Sequence, residues 1–323
     1  MTTRGGDEPQ REPNRRPHMV YDAVIVGGGP AGLAAALTLG RARKRVLVCD
    51  SGPRRNAAAE RIHNFVTRDG TPPDEFRRLG REQLLAYPNV EVRDLRVDAI
   101  TGEKGAFRVV LGAEAVEAKR VILCTGMVDE LLPIDGFREL WGHSIFQCPY
   151  CHGWEVQDRA WGVLASAEHA GMLMPFALQL RGWTRDVAVF TGGLFEFSAD
   201  VQAGLLTGGV RVETAPISRL VGRDGRLASV EFSDGRQVPR DVLFAHPPQR
   251  QVALIQALGI ALDEQGFVRT DPMTRETSVP GIYAAGDLTS RMQAAIVGAA
   301  GGMQAAAMLN LELTMSMASS GAL

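Results

Sequence analysis

Short apolar runs, each closed by glycines or by a lone acid, set the rhythm of this chain. Tyr21-Asp22-Ala23-Val24-Ile25-Val26 is a β-branched run of the length a buried parallel strand needs. It enters Gly27-Gly28-Gly29-Pro30-Ala31-Gly32 directly, and the Ala/Leu-rich stretch Leu33 to Leu39 that follows reads as helix. A second strand, Arg45 to Cys49, stops at Asp50. Strand, G-x-G-x-x-G, helix, strand and acid in that order predict a dinucleotide-binding βαβ unit. Gly27 makes the tight turn, Gly29 lets a pyrophosphate approach the backbone, and Gly32 lets the helix pack close to the strand. The helix N-terminus offers free N–H groups to the phosphates, and Asp50 can accept from a ribose hydroxyl.

Two further stretches repeat the theme. In the middle, Gly162-Val163-Leu164-Ala165-Ser166-Ala167-Glu168-His169-Ala170 reads as strand, turn and helix, with the next strand at Val187 to Phe190. Near the end, Thr277-Ser278-Val279-Pro280-Gly281-Ile282-Tyr283-Ala284-Ala285-Gly286-Asp287 delivers an acid to a glycine turn at the start of a helix. This segment resembles the T-x-x-P-G-φ-φ-A-x-G-D motif (φ apolar) of flavoproteins with two dinucleotide-binding domains. The resemblance implies FAD, with Asp287 bonded to its ribityl chain. A cofactor site assembled from both ends of the chain makes the middle an inserted domain, with borders near Met127 and Ala245.

Composition adds exclusions. The 323 residues are 45% hydrophobic and 22% charged, which suits an ordinary globular protein long enough for two domains. A formal charge of −2 lacks the basic stripe of a nucleic-acid binder. No apolar run reaches the ~18 residues of a membrane span. Residues 1–19 mix Arg, Glu, Pro and Gly without the apolar stretch of a signal peptide and read as a disordered tail. The expected location is cytoplasmic, where structural disulfides are rare.

That setting bears on the four cysteines. Cys49 and Cys124 end apolar runs and read as buried residues. Cys148-Pro149-Tyr150-Cys151-His152 has the spacing of a reducible dithiol, which lowers the pKa of one thiol. The same pattern also serves zinc, which needs two further ligands, and c-type haem, which needs export. No second C-x-x-C and no export signal accompany it, so a redox pair is expected and no metal.

Taken together, the N-terminal fingerprint, Cys124-Thr125-Gly126, the Cys148/Cys151 pair and the terminal Gly-Asp resemble the low-molecular-weight thioredoxin reductases over residues 20 to 312. Cys-Pro-Tyr-Cys-His-Gly-Trp-Glu is closer to the C-x-x-C-H-G-φ-E run of the dithiol oxidases that close disulfides in holomycin- and gliotoxin-type natural products. The resemblance implies an α/β fold with two Rossmann-like, three-layer ββα dinucleotide-binding domains. It implies an FAD domain from 20–126 plus 246–312, an inserted domain at 127–245 and a flexible C-terminus at 313–323. It assigns FAD contacts to Gly27, Gly29, Pro30, Ala31, Gly32, Asp50, Ser51, Asn56, His63, Val97, Thr125, Gly126, Asp287, Gln293 and Ala294. It also implies a homodimer, with a small-molecule dithiol or a thioredoxin-like protein as partner.

The direction of electron flow turns on the inserted domain. An NADPH site needs glycines where Ala165 and Ala167 stand, and an alanine methyl at the second position meets the pyrophosphate. Where reductases resemble one another in carrying His-Arg-Arg, this chain has Thr191-Gly192-Gly193, with no cation for a 2′-phosphate. Met292, in Arg291-Met292-Gln293, stands where the reductase pattern carries an NADPH-facing Arg, unless a one-residue shift recruits Arg291 to that place. The expected chemistry is therefore dithiol oxidation without NADPH, Cys148 exchanging with substrate and Cys151 facing FAD. The alternative is reduction of a protein disulfide with electrons from NADPH, ferredoxin or another donor. His152 stands where reductases carry an acid and can take a thiol proton at neutral pH, with Glu155 to orient it or to cap the helix.

Overall fold

The computed structural model describes residues 20–166 and 170–321. The tail at 1–19 and Ala167 of the second turn lie outside the described residues. The first apolar run forms β1 (Val20–Val26), followed by α1 (Pro30–Arg41), β2 (Val46–Cys49), α2 (Pro73–Leu84) and β3 (Val90–Arg93). β4 (Ala99–Glu103), β5 (Ala106–Leu111) and β6 (Glu114–Leu123) then fold as antiparallel neighbours. The chain next passes through β7 (Val128–Asp129), the short α3 (Phe137–Leu140), β8 (Ile145–Phe146) and the single turn α4 (Pro149–His152).

β9 (Trp161–Leu164), α5 (Ala170–Leu180), β10 (Val187–Phe190), α6 (Ala199–Thr207) and β11 (Val210–Glu213) form a second alternating unit. β12 (Ile217–Arg223), β13 (Arg226–Phe232) and β14 (Gln237–Pro239) make an antiparallel three-stranded sheet, and β15 (Val242–Ala245) closes the unit. The return runs through β16 (Gln249–Arg250), α7 (Ala253–Ala257), β17 (Ile282–Ala284) and α8 (Ala295–Ser319).

Two sheets carry this order. The first is seven-stranded, β3-β2-β1-β6-β5-β4, with β17 pairing β6 in parallel, so the last strand of the chain lies beside strands from its first third. The second runs β11-β10-β9-β15-β8, parallel throughout. Alternation along β9 sends Trp161 and Val163 to the face covered by α5 and α6, and Leu164 to the face covered by β12 and β13. The two passages between the sheets lie side by side, because β7 pairs antiparallel with β16.

α1 and α8 cover one face of the first sheet, and glycine makes their contact possible. A Cβ on Gly302 would lie 2.7 Å from the Ala31 carbonyl carbon and overlap its oxygen. One expectation needs correcting. Residues 313–319 are not a flexible end but the last turns of α8, with Leu313 buried in the domain core. Among the described residues no helix is long and apolar enough to cross a membrane.

Candidate active site

The site begins at the first turn, where each glycine has a distinct physical cause. Gly27 sits at φ +110, and a Cβ there would overlap the Cys124 carbonyl oxygen. A Cβ on Gly32 would overlap the Gly27 carbonyl oxygen, so helix and strand approach only without a side chain. Gly29, by contrast, has nothing within 4 Å of its ideal Cβ and opens onto free space. It is the N-cap of α1, with Pro30 in the first turn, Ala31 and Gly32 buried behind it, and no side chain capping the helix. An uncapped N-terminus facing open space is what a diphosphate requires.

Gly28 is explained by the acid across from it, since its Cβ would lie 2.8 Å from Asp50 Cγ. Asp50 is buried at the end of β2, takes the Gly52 N–H at 3.1 Å and an Arg81 Nη2 at 3.0 Å, and also pairs with Arg77. Burial alone would raise its pKa. The Gly52 N–H and the two guanidinium groups outweigh burial and hold the carboxyl below the usual range, so it stays an acceptor. Ser51 beside it is exposed.

At the opposite end, Thr125 Oγ1 is shielded from solvent and has no partner, and Gly126 follows at φ +67 with open space at its Cβ. Gly286 at φ +96 turns the chain into Asp287. Gln293 donates to the Asp287 carbonyl oxygen at 3.4 Å, and Ala294 is the extended N-cap of α8. The orphaned hydroxyl, the open Gly29 cradle and the uncapped helix fit an extended dinucleotide such as FAD. Gly27, Gly29, Gly32, Asp50, Thr125 and Asp287 would hold it. Val97 differs in kind, its side chain being in the apolar core, so any cofactor contact falls to its backbone.

The cysteine pair sits at α4. Cys148 is the N-cap, and the Sγ atoms of Cys148 and Cys151 are 2.7 Å apart as free thiols. The Cys151 S–H donates to Cys148 and, with the backbone N–H groups of Cys151 and Tyr150, lowers Cys148 to about 7 against the opposing effect of burial. Cys151 is pushed up by that same hydrogen bond, by burial and by the nearby Cys148 and Asp287, while Arg55 pulls the other way. The charges of Asp287 and Arg55 both reach Cys151. Cys49 and Cys124 are buried, and burial pushes both thiols up to about 12.

His152 stacks on Phe146 with ring centroids 4.3 Å apart, and both its ring nitrogens are shielded and unpartnered. Burial pushes its pKa down, Glu155 opposes this, His63 adds to it and the Cys148 backbone opposes it, the balance favouring the neutral ring. The expected His152–Glu155 pair is corrected here. Glu155 reaches His63 Nε2 at 3.4 Å, and His63 Nδ1 faces Asp69 at 3.4 Å. Glu155 thus acts on His152 only through its charge. His63 belongs to this cluster beside the thiols, while Asn56 is exposed in the preceding loop.

At the end of β9 in the second sheet, Ala165 is buried with its N–H bonded to the Phe190 carbonyl at 2.9 Å. After β10, Thr191 is buried, with its Oγ1 unpartnered, and Gly192 and Gly193 both take positive φ. Arg291 and Met292 are exposed.

One residue escaped sequence reasoning. Arg55 donates to Asp129 through Nε at 2.7 Å and Nη2 at 2.8 Å, to Asp287 through Nη1 at 3.1 Å and to Gln293 at 2.5 Å, and also to Gln147. Its only signal in the sequence was adjacency to Asn56.

The family model described as pyridine nucleotide-disulphide oxidoreductase matches residues 21–302. Thioredoxin reductase tcpT of Claviceps purpurea is 33% identical over 279 residues, covering 83% of this chain and 86% of that protein. An oxidoreductase from Agrobacterium tumefaciens superposes with TM-score 0.86 at 37% identity, covering 92% of this chain and 99% of that one. The structure of HlmI also gives TM-score 0.86 at 37% identity, covering 93% and 95% respectively.

Proposed function

The chain belongs to the pyridine nucleotide-disulphide oxidoreductases, in their thioredoxin-reductase-like, FAD-binding form, and from this we propose that it oxidises small-molecule dithiols to disulfides without NADPH. The observation that carries the direction is the turn that follows β10. β10 ends in buried Thr191 and two glycines, so it offers no cation to a 2′-phosphate.

The chemistry starts from the oxidised pair. A substrate thiolate attacks Cys148 Sγ of the Cys148–Cys151 disulfide, forming a mixed disulfide and releasing Cys151 as thiolate. The substrate's second thiolate then displaces Cys148, so the substrate leaves as a disulfide and the pair holds two electrons. Cys148 suits this step because a sulfur lowered to about 7 is a good leaving group. Neutral His152 offers a shielded ring nitrogen to a thiol proton. Bound FAD supplies the acceptor for the electron pair, which passes on to molecular oxygen as hydrogen peroxide. A homodimer is part of this reading, on the family resemblance.

Anaerobic addition of NADPH, then of dithiothreitol, tests it through the visible absorbance of the flavin. Loss of colour with the dithiol alone, restored by air with peroxide formed, is expected. Loss of colour with NADPH would overturn the proposal in favour of a reductase.

A further inference from the structure

We infer that Arg55 is a positioning residue that clamps the redox pair to the cofactor lobe and supplies the positive charge facing Cys151. The inference rests on the redox-pair and FAD assignments, but not on the direction of electron flow.

Three segments of the chain meet at this guanidinium. Asp129 lies in β7, on the outward passage between the sheets; Gln147 directly precedes Cys148; Asp287 and Gln293 come from the returning chain. Five hydrogen bonds engage the five N–H positions of the side chain, with Asp129 held bidentately. Gln293 is cross-braced by Gln249, next to Arg250 in β16, at 2.8 and 3.1 Å. The clamp therefore joins both passages to the segment carrying the thiols. Lysine, with three donors on a flexible stem, cannot reproduce it.

Charge is the second half of the role. Asp129 and Asp287 put two carboxylates around one cation. Asp287 disfavours a thiolate on Cys151 and Arg55 favours it. Burial pushes the Asp287 carboxyl up, Arg55 opposes this and Asp129 adds to it, so Arg55 works both against protonation of that acid and toward the Cys151 thiolate.

The test separates clamp from charge. In FAD-loaded Cys148→Ser protein, the pH dependence of Cys151 alkylation by iodoacetamide is followed by intact mass, alone and combined with Arg55→Gln or Arg55→Lys. Arg55→Gln should move the midpoint up by about one pH unit, a tenfold change in ionisation, and Arg55→Lys should restore most of it. With both cysteines present, Arg55→Lys should still slow flavin reduction by dithiothreitol about tenfold, because the clamp is lost. An unchanged midpoint in Arg55→Gln would overturn the charge role, and an unchanged rate in Arg55→Lys the clamp. If Arg55→Gln does not fold, the Arg55→Lys rate decides. None of these outcomes depends on whether NADPH also reduces the protein.

Discussion

Adjacent glycines in α8 should respond oppositely to the same added methyl group. Gly301 and Gly302 are both buried in the middle of the helix, and alanine at either gains about 1 kcal/mol of helix propensity. At Gly301 the new Cβ would meet Ala285 Cβ at 3.7 Å and the Gly286 nitrogen at 3.8 Å, ordinary contact that adds packing. At Gly302 it would lie 2.7 Å from the Ala31 carbonyl carbon, 2.9 Å from its Cα, and on top of its oxygen. Backbone cannot rotate away as a side chain can, so α1 and α8 must separate. Overpacking of this kind costs about 1–3 kcal/mol or more, which offsets and exceeds the propensity gain. Gly301→Ala should therefore be stabilised by up to about 1 kcal/mol, while Gly302→Ala should be destabilised by about 1–2 kcal/mol. Urea unfolding followed by flavin release, at one fixed saturating FAD concentration, reads both, since bound cofactor itself stabilises. Because Ala31 belongs to the phosphate turn, Gly302→Ala should also weaken FAD retention. Equal midpoints for the two variants would refute the close crossing of α1 and α8.

Three other outcomes follow from the thiols and their neighbours. Cys148→Ser should abolish dithiol turnover while leaving FAD bound; unchanged turnover would remove the exchange role of Cys148. In the reduced protein, Cys148 alkylation should rise with pH through a midpoint near 7, because its lowered pKa makes it thiolate above that value, and a midpoint near 9 would contradict the hydrogen bonds to its sulfur. His152→Phe should keep the stack on Phe146, fold normally and slow dithiol oxidation by about 10²-fold, as measured in steady-state assays across pH.

What the sequence determined by itself is what can be written in consecutive residues. The run Tyr21–Gly32 and Asp50 specify a strand, turn, helix and acid locally, because Gly27 and Gly32 answer backbone constraints made by the neighbouring strand and within the turn itself. The pair at Cys148 and Cys151 was equally legible, since three residues of spacing place both sulfurs on one helical turn. Only the tertiary structure could decide the partners of the charged groups. Arg55 reaches Asp129, Gln147, Asp287 and Gln293 across separations of up to 238 residues, and neither periodicity nor composition encodes such a meeting. The same holds for Glu155, whose spacing pointed to His152 on a continuing helix. The helix instead ends at His152, leaving Glu155 to face His63 from a different segment. Local patterns are set by backbone sterics and appear in the sequence, whereas the electrostatics of the site arise where distant segments fold together.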